Sequence, residues 1–318
     1  MDLEMLQNRA AIIKNIRSFF ENKGYLELDT PLLSPDLIPE SCLEVFETQR
    51  LYPKGSKKES SSLYLIPSPE IWMKKIIAKH RVNVFQICKC FRNSESAGRL
   101  HNHEFTMLEY YTMNADYMDS LALTEKLVKF LTTNQTNEEI LFERITVADA
   151  FKKYAGFDLF ETAAKGADVM AAQARKLGLE PMPDMTVPQL YDLIFIHAVE
   201  PHLKTDKPVA LLDYPTFVPC LAKRREQGSE TVERWELYWD GIELANCFSE
   251  ETEPHRVKEF FTSEEAQLKH SAIVKHKVDH DYWKIFQNFP RCSGVAIGLD
   301  RLIMALLGKQ SIDGVMVT

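Results

Sequence analysis

A charged loop between two strands is the feature that most constrains the fold of this chain. The sequence reads as a strand that ends at Phe91, a polar loop, and a second strand that begins near Glu104. Arg92 stands where the first strand meets the loop, and Phe105 stands at the start of the second strand. The pattern predicts a strand pair that holds a guanidinium and an aromatic face in fixed positions.

A second segment near the other end of the chain completes this pattern. Gly294–Leu302 reads as an apolar strand with glycines that runs into a helix, and Arg301 lies in the first turn of that helix. A glycine at position 298 allows a ligand to approach the backbone closely. Together with Arg92 and Phe105, these groups are the ones needed to hold a nucleotide triphosphate without a Walker-type phosphate loop.

The composition indicates an ordinary globular protein. The 318 residues are 45% hydrophobic and 26% charged, which suits one large or two modest domains. A formal net charge of −8 and the lack of a basic run argue against a protein whose main task is to hold a nucleic-acid backbone. No apolar run reaches membrane-spanning length, and the acidic N-terminus is unlike a signal peptide.

The cysteines predict a reducing, cytoplasmic location. Cys88 and Cys90 share a strand face, so they cannot bridge locally, and no second pair completes a zinc spacing. Free thiols are typical of cytosolic proteins. The remaining cysteines are scattered along the chain at Cys42, Cys220, Cys247 and Cys292.

Helical and strand periodicities alternate along the chain and predict an α+β fold. Leu3–Lys23 is an amphipathic helix followed by a glycine, and Glu70–His80 is a shorter helix. The strands around the charged loop are predicted over Val82–Arg92 and Glu104–Thr112. From about residue 142 to 207 the pattern is helical with no strong strand, which we interpret as a helical insertion.

The predicted strand Glu104–Thr112 carries candidate ligand-binding residues on one face. Side chains alternate along a strand, so Phe105, Glu109 and Tyr111 point the same way. Such a face can stack a base and then hold a cation. An ordinary half-buried strand is the alternative, and it is favoured when this pattern is taken alone.

The dipeptide Asp240-Gly241 predicts a tight hairpin turn. In a two-residue register, Tyr238 opposes Glu243, and Glu236 and Glu243 are diagonal neighbours on one face, roughly 7–8 Å apart at the backbone. Two carboxylates placed in this way can share Mg²⁺ ions that bridge triphosphate oxygens. Two solvated surface glutamates are an equally acceptable interpretation of the same spacing.

Glu250 follows the second strand of this hairpin. It lies at the opposite strand parity to Glu243, so both carboxylates can face one site only if a bulge or a strand end intervenes. Asn246, Phe248 and Glu250 share a parity and can form the wall of a pocket for a long cationic side chain.

These segments resemble the signature motifs of the class II aminoacyl-tRNA synthetases. Residues 91–105, FRNSESAGRLHNHEF, resemble motif 2, residues 294–302, GVAIGLDRL, resemble motif 3, and the first helix with Thr30-Pro31 resembles motif 1. The stretches PSPEIWMKK, HNHEFTMLEYY and ELANCFSE are similar to the lysyl-tRNA synthetase subgroup. Because these segments fall in the family's order along nearly the whole chain, it is identified as a member of the lysyl-tRNA synthetase-like family.

The resemblance implies a fold and a set of site residues. The implied fold is a mostly antiparallel sheet flanked by helices, in one catalytic domain over residues 1–318 with the insertion at about 142–207 and without an anticodon-binding domain. Arg92 and Arg301 are the implied catalytic residues, and Ser94 or Glu95 takes the position that reads the adenine amino group. The implied ATP contacts are Arg92, Asn93, Ser94, Glu95, Asn102, Phe105, Glu243, Leu244, Gly298 and Arg301. The implied amino-acid contacts are Ser68, Pro69, Glu70, Glu109, Tyr111, Asn246 and Glu250, and the implied Mg²⁺ ligands are Glu236 and Glu243.

The length of the chain resembles that of short family members that ligate a lysine-type amino acid onto translation elongation factor P. This resemblance implies activation of lysine or β-lysine with ATP and Mg²⁺, and transfer to a lysine amine of elongation factor P. It also implies a cytoplasmic homodimer with neither tRNA nor a membrane as its partner. Two alternatives stay open: a truncated lysyl-tRNA synthetase-like enzyme that acts on tRNA or another acceptor, and a non-catalytic interaction protein on a synthetase scaffold.

Overall fold

The computed structural model describes residues 2–57, 59–94, 98–133, 140–226 and 228–316. The helices, in chain order, are α1 Leu3–Glu21, α2 Glu70–His80, α3 Tyr117–Thr133, α4 Val147–Ala150, α5 Leu159–Ala164, α6 Ala167–Lys176, α7 Val187–Ile194, α8 Pro254–Ser271 and α9 Leu299–Leu306. The strands are β1 Leu26–Glu27, β2 Leu33–Ser34, β3 Glu47–Arg50, β4 Ser61–Leu65, β5 Val84–Phe91, β6 Glu104–Met113, β7 Glu143–Thr146, β8 Val209–Leu212, β9 Arg234–Trp239, β10 Ile242–Ser249 and β11 Cys292–Gly298. The chain divides into two compact units, Met1–Ala115 with Glu251–Thr318 and Asp116–Glu250.

The first unit is built on strands in the order β1-β5-β6-β11. β1 runs parallel to β5, whereas β5, β6 and β11 are antiparallel to their neighbours. A smaller antiparallel sheet has the order β2-β4-β3. Leu37 and Val45, between β2 and β3, form a core of their own with Tyr64 on β4 and Ile66 directly after it.

Helix α1 covers one face of the strands β5 and β6. The side chain of Asp2 caps its first turn by accepting a hydrogen bond from the backbone N–H of Met5 at 2.8 Å. The ring of Phe20 is buried, and its centroid lies 5.0 Å from that of Phe85 on β5 and 4.8 Å from that of Tyr110 on β6. Because side chains alternate along a strand, the residues next to these two face away from α1.

The second unit is built on strands in the order β10-β9-β8-β7. β10 and β8 are antiparallel to β9, and β7 is parallel to β8. The indole N–H of Trp235 on β9 donates to the carbonyl oxygen of Tyr117 at 2.6 Å, which attaches α3 to this sheet. The helices between residues 147 and 203 pack around one apolar core that includes Phe151, Tyr191 and Ile194.

The prediction of an α+β fold with mostly antiparallel strands is confirmed by these pairings. The structure adds a strand to the stretch 142–207, because Glu143–Thr146 forms β7 and pairs with β8. Four residues are too few to show strand alternation, so only the pairing with a distant segment defines this strand. The predicted helix Leu3–Lys23 ends two residues earlier, at Glu21. Within the described ranges, no helix is long and apolar enough to cross a membrane.

Candidate active site

In the first unit, the face of β5 and β6 that points away from α1 carries the predicted ligands Phe105, Glu109 and Tyr111. The antiparallel register places Cys90 opposite Phe105, Cys88 opposite Met107 and Gln86 opposite Glu109. Residues that oppose each other in this way project from the same face. β11 adds its backbone to the same sheet, with Gly298 opposite Met107. The prediction that Phe105, Glu109 and Tyr111 share one face is therefore confirmed by the register.

Arg92 places a guanidinium at one end of this face. Its backbone N–H donates to the carbonyl oxygen of His103 at 3.0 Å, which holds it at the exit of β5. Its guanidinium carbon lies 5.2 Å from the ring centroid of Phe105, within the range of a cation–π contact. The buried Nε of Arg92 donates to no acceptor among the described residues. A stacked guanidinium with an unused buried donor fits a phosphate oxygen next to an aromatic base.

Arg301 and its neighbour Asp300 tie α9 to the rest of this site. The Nε of Arg301 donates to the carbonyl oxygen of Leu100 at 3.1 Å, so the guanidinium contacts the charged loop. Asp300 accepts a hydrogen bond from the backbone N–H of Thr106 at 2.6 Å and pairs with Arg9 at 2.7 Å. This buried pair was not predicted, although Asp300 at the start of a helix is a favoured position for an acid.

The polar residues of the loop are held by the backbone around them. Asn93 accepts a hydrogen bond from the N–H of Ser94 at 2.9 Å, and its own N–H donates to the carbonyl oxygen of Glu44 at 2.8 Å. Asn102 accepts from the N–H of His103 at 2.9 Å. The exposed Ser94 has a φ of 55°, a left-handed conformation that is uncommon for serine. Glu95, the other candidate for reading adenine, lies outside the described residues.

Glu70 and Glu109 bring two carboxylates close together near this face. Glu70 opens α2 directly after Ser68 and Pro69, and it accepts from the fully buried ammonium of Lys74 at 2.5 Å. Tyr111 donates its hydroxyl to one oxygen of the buried Glu109 at 2.7 Å. The second oxygen of Glu109 is buried and accepts nothing from the described residues.

These surroundings change the proton affinity of Glu109. Burial, with the nearby charge of Glu70, raises the pKa of Glu109 well above its usual range. A buried acceptor of this kind is stabilised when a cation binds, so this end suits an ammonium group. Lys74 was not predicted, although its spacing of four residues from Glu70 is the spacing of a helical ion pair.

Glu40 is a further acid of this region that no sequence pattern indicates. Burial raises its pKa to about 7, with contributions from Glu70 and Glu264 that the charge of Arg92 partly offsets. The loop that carries it is fixed by Ser41, whose backbone N–H and hydroxyl donate to the carboxylate of Glu264 at 2.9 Å and 2.8 Å. No periodicity marks a loop residue of this kind, so only the folded chain reveals it.

In the second unit, the predicted hairpin forms around the turn Asp240-Gly241. Both turn residues have positive φ, 51° and 74°, as a type I′ turn requires. Glu243 opposes Tyr238, as predicted, and therefore shares a face with Glu236. This part of the predicted register is confirmed.

A β-bulge then changes the register at Leu244. The pairing shifts between Glu243 and Ala245, so that Asn246 rather than Ala245 opposes Glu236. The extra residue restores a common face for Glu243 and the later residues Asn246 and Phe248. A bulge of this kind, or a strand end, is what allows Glu243 and Glu250 to face one site.

The carboxylate of Glu236 is already engaged on both oxygens. One oxygen accepts from Arg234 at 2.6 Å, and the other accepts from the hydroxyls of Tyr214 at 2.5 Å and Tyr238 at 2.8 Å. Nearby, Arg234 also donates to the side-chain oxygen of Asn246 at 3.1 Å. In the part of the chain that the structure describes, no group of three or more His, Cys, Asp or Glu side chains is arranged to hold a metal ion.

Glu250 lies just beyond the end of β10, in an isolated bridge with Ala222. Only 2% of its surface is exposed, which is rare for a glutamate and requires a compensating charge or hydrogen bonds. Ser249 next to it is buried on the opposite side of the chain, where its hydroxyl accepts from the backbone N–H of Tyr117 at 2.9 Å.

Known proteins resemble this chain along almost its entire length. A profile of the class II tRNA synthetases (D, K and N) matches residues 2–317. The elongation factor P–(R)-β-lysine ligase of Avibacterium paragallinarum is 33% identical over 315 residues, which are 99% of this chain and 94% of that protein. The protein of the same name from Hamiltonella defensa is 34% identical over 315 residues, 98% of this chain and 93% of that protein. The one from Proteus mirabilis is 33% identical over 314 residues, 98% of this chain and 93% of that protein.

Proposed function

The chain belongs to the class II tRNA synthetases (D, K and N), and we propose from this premise that it activates lysine or β-lysine with ATP and transfers it to a lysine amine of elongation factor P. One observation carries the proposal: Arg92 and Phe105 stand on the same strand face as the buried Glu109. This face offers an anion-binding end and a cation-binding end. The name shared by the relatives supports elongation factor P as the acceptor.

The proposed reaction has two steps. The carboxylate of the amino acid attacks the α-phosphorus of ATP, which gives an aminoacyl-adenylate and releases pyrophosphate. The carboxylate is already ionised, so no general base is needed, and Arg92 offsets charge on the phosphate in the transition state. An amine of the acceptor then attacks the carbonyl carbon of the adenylate, which forms an amide and releases AMP. Glu70 and Glu109 hold the ammonium groups of the amino acid while this occurs.

For Mg²⁺, we propose Glu243 and Glu236 as the protein ligands. Their common face and their carboxylate chemistry support this pair. Glu236 accepts three hydrogen bonds, so it fits the ion only after it releases at least one donor. When bound, the ion would neutralise charge on the triphosphate oxygens.

The proposed function is tested by following the activated amino acid. We expect ATP–pyrophosphate exchange that depends on lysine or β-lysine, and transfer of the radiolabelled amino acid to elongation factor P. An elongation factor P variant with its acceptor lysine replaced by arginine is the matched control and should remain unlabelled. Label that appears on tRNA would instead favour the truncated synthetase, and the lack of exchange with every amino acid would favour a non-catalytic protein.

We expect the Km for lysine to fall as the pH rises through 7. Glu40 has its pKa raised from 4.5 to about 7, so its carboxyl is mostly neutral below that pH and ionised above it. An additional negative charge favours the cationic amino acid, whose ammonium stays protonated in this range. The Km should fall by up to about tenfold between about pH 6 and pH 8. One linked proton changes the Km by at most about tenfold per pH unit, and this dependence applies below the pKa of about 7 and levels off above it. In Glu40→Gln the Km for lysine should not depend on pH in this range. If the variant keeps the pH dependence of the wild-type protein, Glu40 does not have this role.

We propose that the protein is a homodimer that uses the surface around α1. In the first unit, this surface leaves Leu3, Leu6, Leu26 and Leu33 exposed, with exposed fractions of 69%, 41%, 54% and 41%. Burying a leucine stabilises an interface by about 1.5–3 kcal/mol, so Leu6→Asp should raise the dissociation constant by roughly tenfold or more. Sedimentation velocity measures this change. Leu141→Asp, at a 60% exposed position in the second unit, is the control and should leave the dimer intact.

A further inference from the structure

A pair of thiols lies within the proposed nucleotide-binding face. The Sγ atoms of Cys88 and Cys90 are 3.9 Å apart on β5. Cys90 is buried and directly opposes Phe105, and the half-buried Cys88 opposes Met107. Arg92 follows two residues after Cys90. The proposed activation and transfer steps use neither thiol.

The distance between the two sulfur atoms matches the distance between two thiolate ligands of one soft metal ion. Zn²⁺ binds thiolate sulfur at about 2.3 Å in tetrahedral geometry, which places two sulfur ligands roughly 3.8 Å apart. A disulfide would instead need the sulfur atoms to approach to about 2.05 Å between residues whose backbone is fixed in a strand. The separation of 3.9 Å therefore favours a bridging cation over a covalent bond.

The surroundings of the pair favour deprotonation of one thiol. A hydrogen bond from Cys90 lowers the pKa of Cys88, whereas burial raises the pKa of Cys90. The first thiolate thus forms at Cys88, the more exposed of the two, and a bound cation would then promote loss of the second proton.

We propose that Cys88 and Cys90 form a two-thiolate site for a soft divalent cation, Zn²⁺ or Cd²⁺, and that its occupancy prevents nucleotide binding. Binding converts two thiols and one cation into a dithiolate complex and releases two protons, with no oxidant or reductant. Water completes the coordination. The inhibitory part rests on the proposed function, because it requires that adenine stacks on Phe105; the binding part does not.

A site with two protein ligands differs from a structural zinc site. Structural sites use four ligands and are closed to exchange. The described residues around these thiols offer no third His, Cys, Asp or Glu in a metal-binding arrangement. The bound cation should therefore exchange readily with cations in solution. Its binding should inhibit the protein reversibly and should not be needed for folding.

Cd²⁺ titration of the full chain tests the binding part. The thiolate-to-Cd²⁺ absorption band of the pair in the ultraviolet should saturate at one Cd²⁺ ion per chain. This band should be lost in Cys88→Ser and in Cys90→Ser. Cys220→Ser is the matched control, because Cys220 is half-buried like Cys88 but lies outside β5, and it should keep the band. Circular dichroism and thermal melting of each variant establish that it is folded. A band that persists in the folded double serine variant overturns the site.

Pyrophosphate exchange tests the inhibitory part. Cd²⁺ should inhibit the wild-type enzyme, and saturating ATP should raise the half-inhibitory concentration at least tenfold. The double serine variant should resist Cd²⁺ by a similar factor. Inhibition that is equal in both proteins, or is insensitive to ATP, overturns the link to nucleotide binding. If exchange fails with every amino acid, the proposed function fails, whereas the Cd²⁺ band still decides whether the thiols bind the cation.

Discussion

Arg92→Ala is expected to reduce ATP–pyrophosphate exchange by about 10²-fold or more while leaving the protein folded. The guanidinium is held over Phe105, and its buried Nε donates to no described acceptor, so its hydrogen bonds are available to a phosphate. A preorganised cation of this kind stabilises the charge that develops as pyrophosphate leaves. Single-turnover adenylate formation with quenched-flow sampling measures the effect on the chemical step.

Arg99→Ala is the matched control for this prediction. Arg99 belongs to the same charged loop but is exposed, and its guanidinium donates to the carbonyl oxygen of Gln310 at 3.1 Å. Its removal should change exchange less than threefold, about 0.6 kcal/mol, as is usual for surface substitutions. Exchange by Arg92→Ala at a rate close to that of Arg99→Ala would show that Arg92 does not act on the phosphates.

Glu250→Gln is expected to raise the Km for lysine strongly and the Km for ATP little. Glu250 is 2% exposed and lies beyond a strand end whose face carries Asn246 and Phe248. Removing one partner of a buried charge pair costs roughly 2–5 kcal/mol, which corresponds to at least about 30-fold in the Km for lysine. Glutamine keeps the size of the side chain, so the change isolates the charge.

Steady-state exchange kinetics with varied lysine and varied ATP show whether Glu250 belongs to the amino-acid pocket or lies outside it. Glu253→Gln provides the comparison, because Glu253 is three residues further along and exposed. It should cost less than about 0.5 kcal/mol. If the two variants share an unchanged Km for lysine, Glu250 is not part of the amino-acid pocket.

Turn preferences and strand alternation predict those features of the fold that depend only on residues close together in the sequence. Asp240-Gly241 predicts the hairpin turn and the pairing of Glu243 with Tyr238, because a type I′ turn fixes the first pairs of the ladder. Strand alternation likewise predicts the common face of Glu109 and Tyr111. Such features need only the spacing of residues along one or two strands.

Other features depend on segments that are distant in the sequence. β7 exists through its pairing with β8, and the raised pKa of Glu40 comes from its burial and from Glu70 and Glu264. The network of Arg234 and Tyr214 around Glu236 likewise joins separate loops and strands. A pattern in one segment contains no information about partners of this kind, so they emerge only from the folded chain.

The bulge at Leu244 makes residue number, as well as residue type, a determinant of the site. Deletion of the single codon for Leu244 would remove the bulge but keep the present partners of all later residues of β10, because Ala245 already opposes Leu237 and Asn246 already opposes Glu236. Deletion of Cys247, which lies beyond the bulge, would instead bring Phe248 opposite Trp235 and turn it to the face that Cys247 now occupies. Replacement of Leu244 by another apolar residue would keep the count and the polarity of the strand. A single-residue deletion in this hairpin should therefore preserve the later faces of the strand at the bulge and exchange them in the ladder beyond it.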